Sequence, residues 1–228
     1  MNSIEIRGHV LKSGRKIAVI KEGSKDAILA KAKEYAADPS VEAVERRIDA
    51  YDGVFEIRFE VMPETIAEVR EALGDKILMY TFRDKRIGGE HPTTCMYHSR
   101  LNNLAINSGA GDLITVEWYD EPDAAQSNVE NAHAGGKLVV ASWCTDEAFT
   151  AAQVEEKLVS MLDSGAEMLE FGALCRSEEE KDVLVAGVRA FKGTHLDTPV
   201  IASAQSECGC EEKTVFWYNY IILRDNQS

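Results

Sequence analysis

Apolar and polar residues along the chain alternate between two periods, one of two residues and one of three to four. Residues 4–12, IEIRGHVLK, alternate apolar and polar and break at Ser13-Gly14, which predicts a short hairpin ahead of the main fold. KIAVIKEG (16–23) reads as the first buried strand. In 25–37, Ile28, Leu29, Ala32 and Tyr35 take helical spacing before Asp38-Pro39 ends the run. VEAVERRIDAYD (41–52) is the second strand, and a helix over about 63–74 carries Pro63 in its first turn and Gly74 at its end. KILMYTFRD (76–84) is the third strand, followed after Gly88-Gly89 by a helix over about 93–108.

The rhythm persists to the end of the chain. DLITVEWYD (112–120) is a strand with an acidic end, and 121–136 is a short polar helix with its turn. KLVVASWC (137–144), a helix over 150–165, and AEMLEFGALC (166–175) come next. Residues 177–193 have Ser177 as a cap, an acidic first turn and Lys192-Gly193 at the end, so every local signal there agrees on a helix. TPVIASAQS (198–206) and TVFWYNYIIL (214–223) supply the seventh and eighth strands of the main fold.

Strands alternating with helices at this spacing imply βα units, and eight of them predict a (β/α)8 barrel of the TIM type in one domain spanning 1–228. An open doubly wound sheet is the competitor, disfavoured because no Gly-rich phosphate-binding turn follows the first strand. Only ECGCEEK (207–213) separates the seventh and eighth strands, too few residues for a crossover helix. The last strand is therefore expected to pair antiparallel, with covering helices missing around strands seven and eight. The uncovered VFWYNYIIL face predicts a homodimer through that side.

Composition narrows the partners. With 39 acidic against 25 basic residues the net charge is -14, which opposes nucleic-acid and anionic-membrane binding. No apolar run spans a bilayer and the first residues lack a basic-then-apolar leader, so the expected location is cytoplasmic. Five cysteines, at 95, 144, 175, 208 and 210, are an odd number in a chain that does not need disulfide staples, and read as free thiols.

Candidate chemistry lies at the strands' carboxyl ends. Alternate strand residues share a face, so Glu45, Arg47 and Asp49 point together, and in a barrel that face is the pocket. Arg83 closes the next strand. Glu45, Arg47 and Arg83 could form one cluster suited to hydroxyls and a carboxylate; the alternative is an internal ion-pair network.

VERRID (44–49), TFRDKRIGGE (81–90) and GAEMLEFGAL (165–174) together resemble the type I 3-dehydroquinate dehydratases, the Schiff-base barrel lyases of the shikimate pathway in aromatic amino acid biosynthesis. The N-terminal hairpin is similar too, and the resemblance covers about 4–206. It implies substrate-binding roles for Glu45, Arg47 and Arg83, and a pocket for a small polyhydroxylated carboxylate with no cofactor. It also implies a strand-six lysine that attacks the substrate ketone and a strand-five histidine that moves protons. Here Glu170 stands at the lysine position and Cys144 at the histidine position, Ile87 replaces the acidic residue before Gly-Gly-Glu, and the segment carrying the carboxylate clamp is shortened. The expectation is a divergent member without either catalytic residue.

Alternatives remain at this level. A relocated lysine, Lys21 or Lys213, would preserve dehydration. Cys144 and Glu170 could serve a different thiol- or metal-dependent reaction, with Cys144, Cys175, Cys208 and Cys210 meeting on one rim and His91, Cys95 and His98 as further ligands. The plainer reading of each cysteine is a small apolar core residue. A third reading is a non-catalytic binding or assembly protein. Lys85 and Arg86 read as rim charges, and His9, His133 and His195 as surface residues.

Overall fold

The computed structural model describes residues 4–11, 16–54, 62–118, 122–205 and 211–216. A hairpin of β1 (Ile4–Ile6) and β2 (His9–Leu11) precedes the barrel. It turns at Arg7-Gly8, where both residues adopt positive φ (53° and 78°), within the stretch expected to form a hairpin. The barrel strands are β3 (Lys16–Ile20), β4 (Val41–Arg47), β5 (Ile77–Thr81), β6 (Leu113–Glu117), β7 (Leu138–Thr145), β8 (Met168–Leu174), β9 (Val200–Gln205) and β10 (Glu211–Phe216). They form a closed barrel in which β3 to β9 run parallel in chain order.

β10 closes the barrel by pairing antiparallel with both β9 and β3. Only residues 206–210 join β9 to β10, which permits a reversal of direction but not a crossover helix. The short link expected to impose antiparallel pairing does so. Residues 217–223 of the expected eighth strand, on which the dimer surface rests, lie outside the described residues, as do Cys208 and Cys210.

Among the described residues, six α-helices surround the parallel strands: α1 (Lys25–Ala37), α2 (Met62–Leu73), α3 (Cys95–Asn107), α4 (Pro122–Ala134), α5 (Ala151–Leu162) and α6 (Glu178–Thr194). Their starts are set by local chemistry. Ser24, Thr94, Thr150 and Ser177 each accept a backbone N–H of the first turn, and Thr150 with Gln153 completes a reciprocal capping box. Each helix lays an apolar stripe on the sheet, such as Val154, Leu158 and Met161 of α5, and Leu184, Val188 and Phe191 of α6. Burying each such side chain contributes about 1.5–3 kcal/mol. Among the described residues no helix is long and apolar enough to cross a membrane.

The strands' two faces separate two cores. Outward residues such as Val44, Leu78, Tyr80, Ile114 and Val139 meet the helices. Inward residues form an apolar plug at the amino ends of the strands, built from Ile17, Ala43, Ile77, Met79, Leu113, Val140, Met168 and Ile201, with Ile6 of the hairpin packed against it. The inward layer at the carboxyl ends is polar, and it holds the candidate site.

Candidate active-site pocket

Period-two geometry places the site residues. In β4, Glu45 and Arg47 alternate with Val44 and Arg46, so the two candidates share the inner face. Arg46 points outward instead, donating to the carbonyl of Ile20 at 3.1 Å and also to that of Arg47. Glu117 of β6, Ser142 and Cys144 of β7, and Glu170 and Gly172 of β8 reach the same interior, with Ser142 in register with Glu170 and Cys144 with Gly172. Glu45, Arg47, Arg83 and Glu170 are all buried.

Arg47 grips Asp49 with two parallel bonds, Nε to Oδ1 at 2.9 Å and Nη2 to Oδ2 at 2.7 Å. The same guanidinium donates to the carbonyl of Gly88 at 3.2 Å. Asp49 also accepts the backbone N–H of Arg83 at 3.2 Å and of Glu90 at 3.3 Å. Burial alone would raise the Asp49 carboxyl, but the Arg47 charge and these bonds outweigh it and hold the group below its ordinary value. Asp49 therefore ties the ends of β4 and β5 to the Gly-Gly-Glu turn. That turn needs Gly88 at its left-handed φ of 89°. It also needs Gly89, where a Cβ would collide with the Arg83 carbonyl oxygen.

Arg83 reaches across the barrel. Its Nη2 donates to Glu170 Oε2 at 3.2 Å, and its Nη1 to Ser142 Oγ at 3.4 Å and to the Cys144 sulfur. Ser142 Oγ donates to the same Glu170 oxygen at 2.7 Å. The thiol fits because Gly172, its register partner, has no Cβ; one there would strike Sγ. Beside this cluster Glu117 accepts the Asp84 N–H at 3.2 Å, and burial pushes its carboxyl up to about 8, so it is protonated at neutral pH.

The structure joins Arg47 and Arg83 through Asp49 and adds Glu170, Ser142, Cys144 and Glu117 to one layer. It does not join the cysteines. Cys144 faces the interior, whereas Cys175 is odd-numbered on β8's path and packs outside with Phe171 and Ala173, where burial pushes its thiol up to about 11. The expected rim of four thiols is thus corrected for these two, and no metal-binding group of His, Cys, Asp and Glu forms among the described residues. His98 is buried against Phe82, with ring centroids 6.0 Å apart, and burial pushes it down to about 4. Lys85 and Arg86 are exposed rim charges, Arg86 holding Asp84 at 2.9 Å.

Lys21 is half-buried just after β3, and Lys213 stands on β10 opposite Ser203 and Ile17. Lys192 is pushed down to about 8 by burial, but it serves as a carbonyl clamp at the end of α6, bonding the carbonyls of His195, Leu196 and Thr198. Sequence reasoning missed Glu117 and the bridging role of Ser142. The signal for Glu117 was its alternation with Leu113 and Thr115 on β6; nothing local marked the partners of Ser142.

Fold and site together define a barrel protein of the (β/α)8 type with a buried charged layer at the carboxyl ends of its strands. Residues 17–213 match the family model for type I 3-dehydroquinase, and the chain belongs to that family. It is 30% identical over 211 residues to a 3-dehydroquinate dehydratase of Lactiplantibacillus plantarum, covering 91% of this chain and 82% of the relative. The corresponding enzyme of Syntrophotalea carbinolica is 28% identical over 214 residues, covering 92% and 83%. Among solved structures, type I 3-dehydroquinate dehydratase from Clostridium difficile, bearing covalently modified comenic acid, superposes with a TM-score of 0.81 at 25% identity, covering 91% and 82%. The enzyme from Enterococcus faecalis shares the fold at the same TM-score and 21% identity.

Proposed function

We propose that this family member binds a small polyhydroxylated carboxylate in the pocket of Glu45, Arg47 and Arg83, and does not carry out dehydration through a Schiff base. The observation that carries this reading is the engagement of Glu170. At the inner-wall position where the resemblance calls for a lysine, a buried carboxylate is held by Arg83 and Ser142. A carboxylate cannot condense with a ketone to an imine, because it has no nitrogen to donate. A thiol at position 144, in contact with Arg83, stands where the resemblance calls for an imidazole.

Incubation of the intact protein with 3-dehydroquinate and borohydride, followed by whole-protein mass measurement, tests this. The expected mass is unchanged and no product forms. A reduced adduct on any lysine, accompanied by turnover, would overturn the reading and bring Lys21 or Lys213 forward as the nucleophile. Thermal shift with shikimate and quinate checks the binding half, since a ligand of the native state must raise the melting temperature.

A further inference from the structure

A cavity of about 380 Å³ lies outside the barrel interior, between β7, β8 and α5, within the size range of small-molecule sites. Strand alternation makes its floor. Ser142 and Cys144 of β7 face inward, so Trp143 between them faces out; Phe171, between Glu170 and Gly172 of β8, does the same. The Phe171 ring centroid is 5.1 Å from that of Trp143 and 5.8 Å from that of Phe149, which makes one aromatic cluster. α5 forms the wall. It packs on α6 through Ala151 and Val154, where Gly187 leaves no room for a Cβ, and its other side turns Glu156 and Lys157 to the cavity. Glu147 stands on the rim.

The charges here are unspent. Lys157 Nζ is 4.8 Å from the Trp143 ring centroid, and among the described residues neither Glu147 nor Glu156 pairs with it. A half-buried ammonium on an aromatic face, with no carboxylate partner, attracts an anion. Two carboxylates on the same cavity repel a simple anion and attract a cation, which Lys157 in turn repels. Only a ligand that carries both charges escapes repulsion. We propose that this cavity binds a free amino acid with a large apolar or aromatic side chain. Its α-carboxylate pairs with Lys157, its α-ammonium with Glu147 and Glu156, and its side chain lies on Trp143 and Phe149. None of these side chains belongs to the inner layer, so the site is independent of the interior pocket.

Titration calorimetry on the full chain tests this with four probes. They are L-phenylalanine; N-acetyl-L-phenylalanine, which loses the ammonium; L-phenylalaninamide, which loses the carboxylate; and glycine, which has no side chain. Phenylalanine is expected to bind, and each of the other three about tenfold or more weakly. Lys157→Met keeps an apolar stem beside Trp143 without the charge; it should weaken phenylalanine about tenfold and leave the amide unchanged. Glu147→Gln combined with Glu156→Gln should weaken phenylalanine by a similar factor and leave the N-acetyl probe unchanged. Both glutamates are exposed and Lys157 is half-buried, so these variants should fold, and their melting temperatures check it. Phenylalanine that fails to bind, or that binds wild type and folded variants alike, overturns the proposal. So does any of the other three probes binding as tightly as phenylalanine.

Discussion

Two buried arginines a short distance apart in the same layer are neutralised in different ways. Arg47 takes its carboxylate from Asp49, two residues on in the 3-10 turn that follows β4, with parallel bonds of 2.9 and 2.7 Å. Arg83 takes its carboxylate from Glu170, 87 residues away and across the barrel, at a longer 3.2 Å, on the oxygen that Ser142 also reaches. The first pair is a structural clip: Asp49 also accepts two backbone N–H groups and fixes the turn that follows β5. The second has fewer structural duties and lies among side chains from β5, β7 and β8. A local pair with backbone bonds fixes the strand ends, and a long-range pair of side chains ties β7 and β8 to the end of β5 across the interior.

The strongest way to break that comparison is to remove Arg47. Arg47→Met should destabilise the fold by about 3–5 kcal/mol, because Asp49 stays buried and uncompensated. Denaturant unfolding measures it. Asp49→Ala should be of similar size, since it also strands the N–H groups of Arg83 and Glu90.

Next in size is the contrast between single and double replacement at the second pair. Arg83→Met alone should cost roughly 2–4 kcal/mol, whereas Arg83→Met with Glu170→Met should recover much of that loss, because no charge is then left unpaired. A thermodynamic cycle of the four proteins reads the coupling. If the double variant is as unstable as the sum of the singles, the pair is not the unit described here.

Glu117 sharpens the comparison through pH. Its folded value of about 8 lies above the ordinary carboxyl value of 4.5, raised first by burial, so the folded chain retains a proton that the unfolded chain releases. Stability from this group is fully present below about 4.5 and is lost as pH rises through about 8. His98 runs the opposite way: buried and neutral with a value of about 4, it removes stability as pH falls from 6.5. Between pH 6.5 and 8 the Glu117 slope stands apart from that of His98, and Glu117→Gln should flatten a decline of roughly 1–2 kcal/mol in unfolding free energy. The smallest effect is expected at Cys144→Ala, about 1 kcal/mol or less, measured as a shift of a few degrees at most in melting temperature.

Much of this was legible in the sequence, for reasons specific to each element. The helices carried their stripes and caps in adjacent residues; Ser177 followed by Glu178, Glu179 and Glu180 needs no tertiary contact to read as a helix start. The hairpin was legible as an alternating segment, but its turn at Arg7-Gly8 was not, because Ser13-Gly14 offered an equally good local break. Glu45, Arg47 and Arg83 were legible because alternation on a strand fixes which residues share a face. The expected meeting of Cys144 and Cys175 failed on the same rule applied one step further: neighbouring strands bring both near one rim, but the two side chains take opposite faces.

By itself, then, the sequence determined the alternating strands and helices and the polar positions at the strand ends, since these depend on residues a few places apart. Only the tertiary structure decided that β10 runs antiparallel between β9 and β3 to close the barrel, and that Glu170 meets Arg83. The physical reason is closure: which residues face one another across a barrel depends on the register of every strand between them, and no local period encodes that sum.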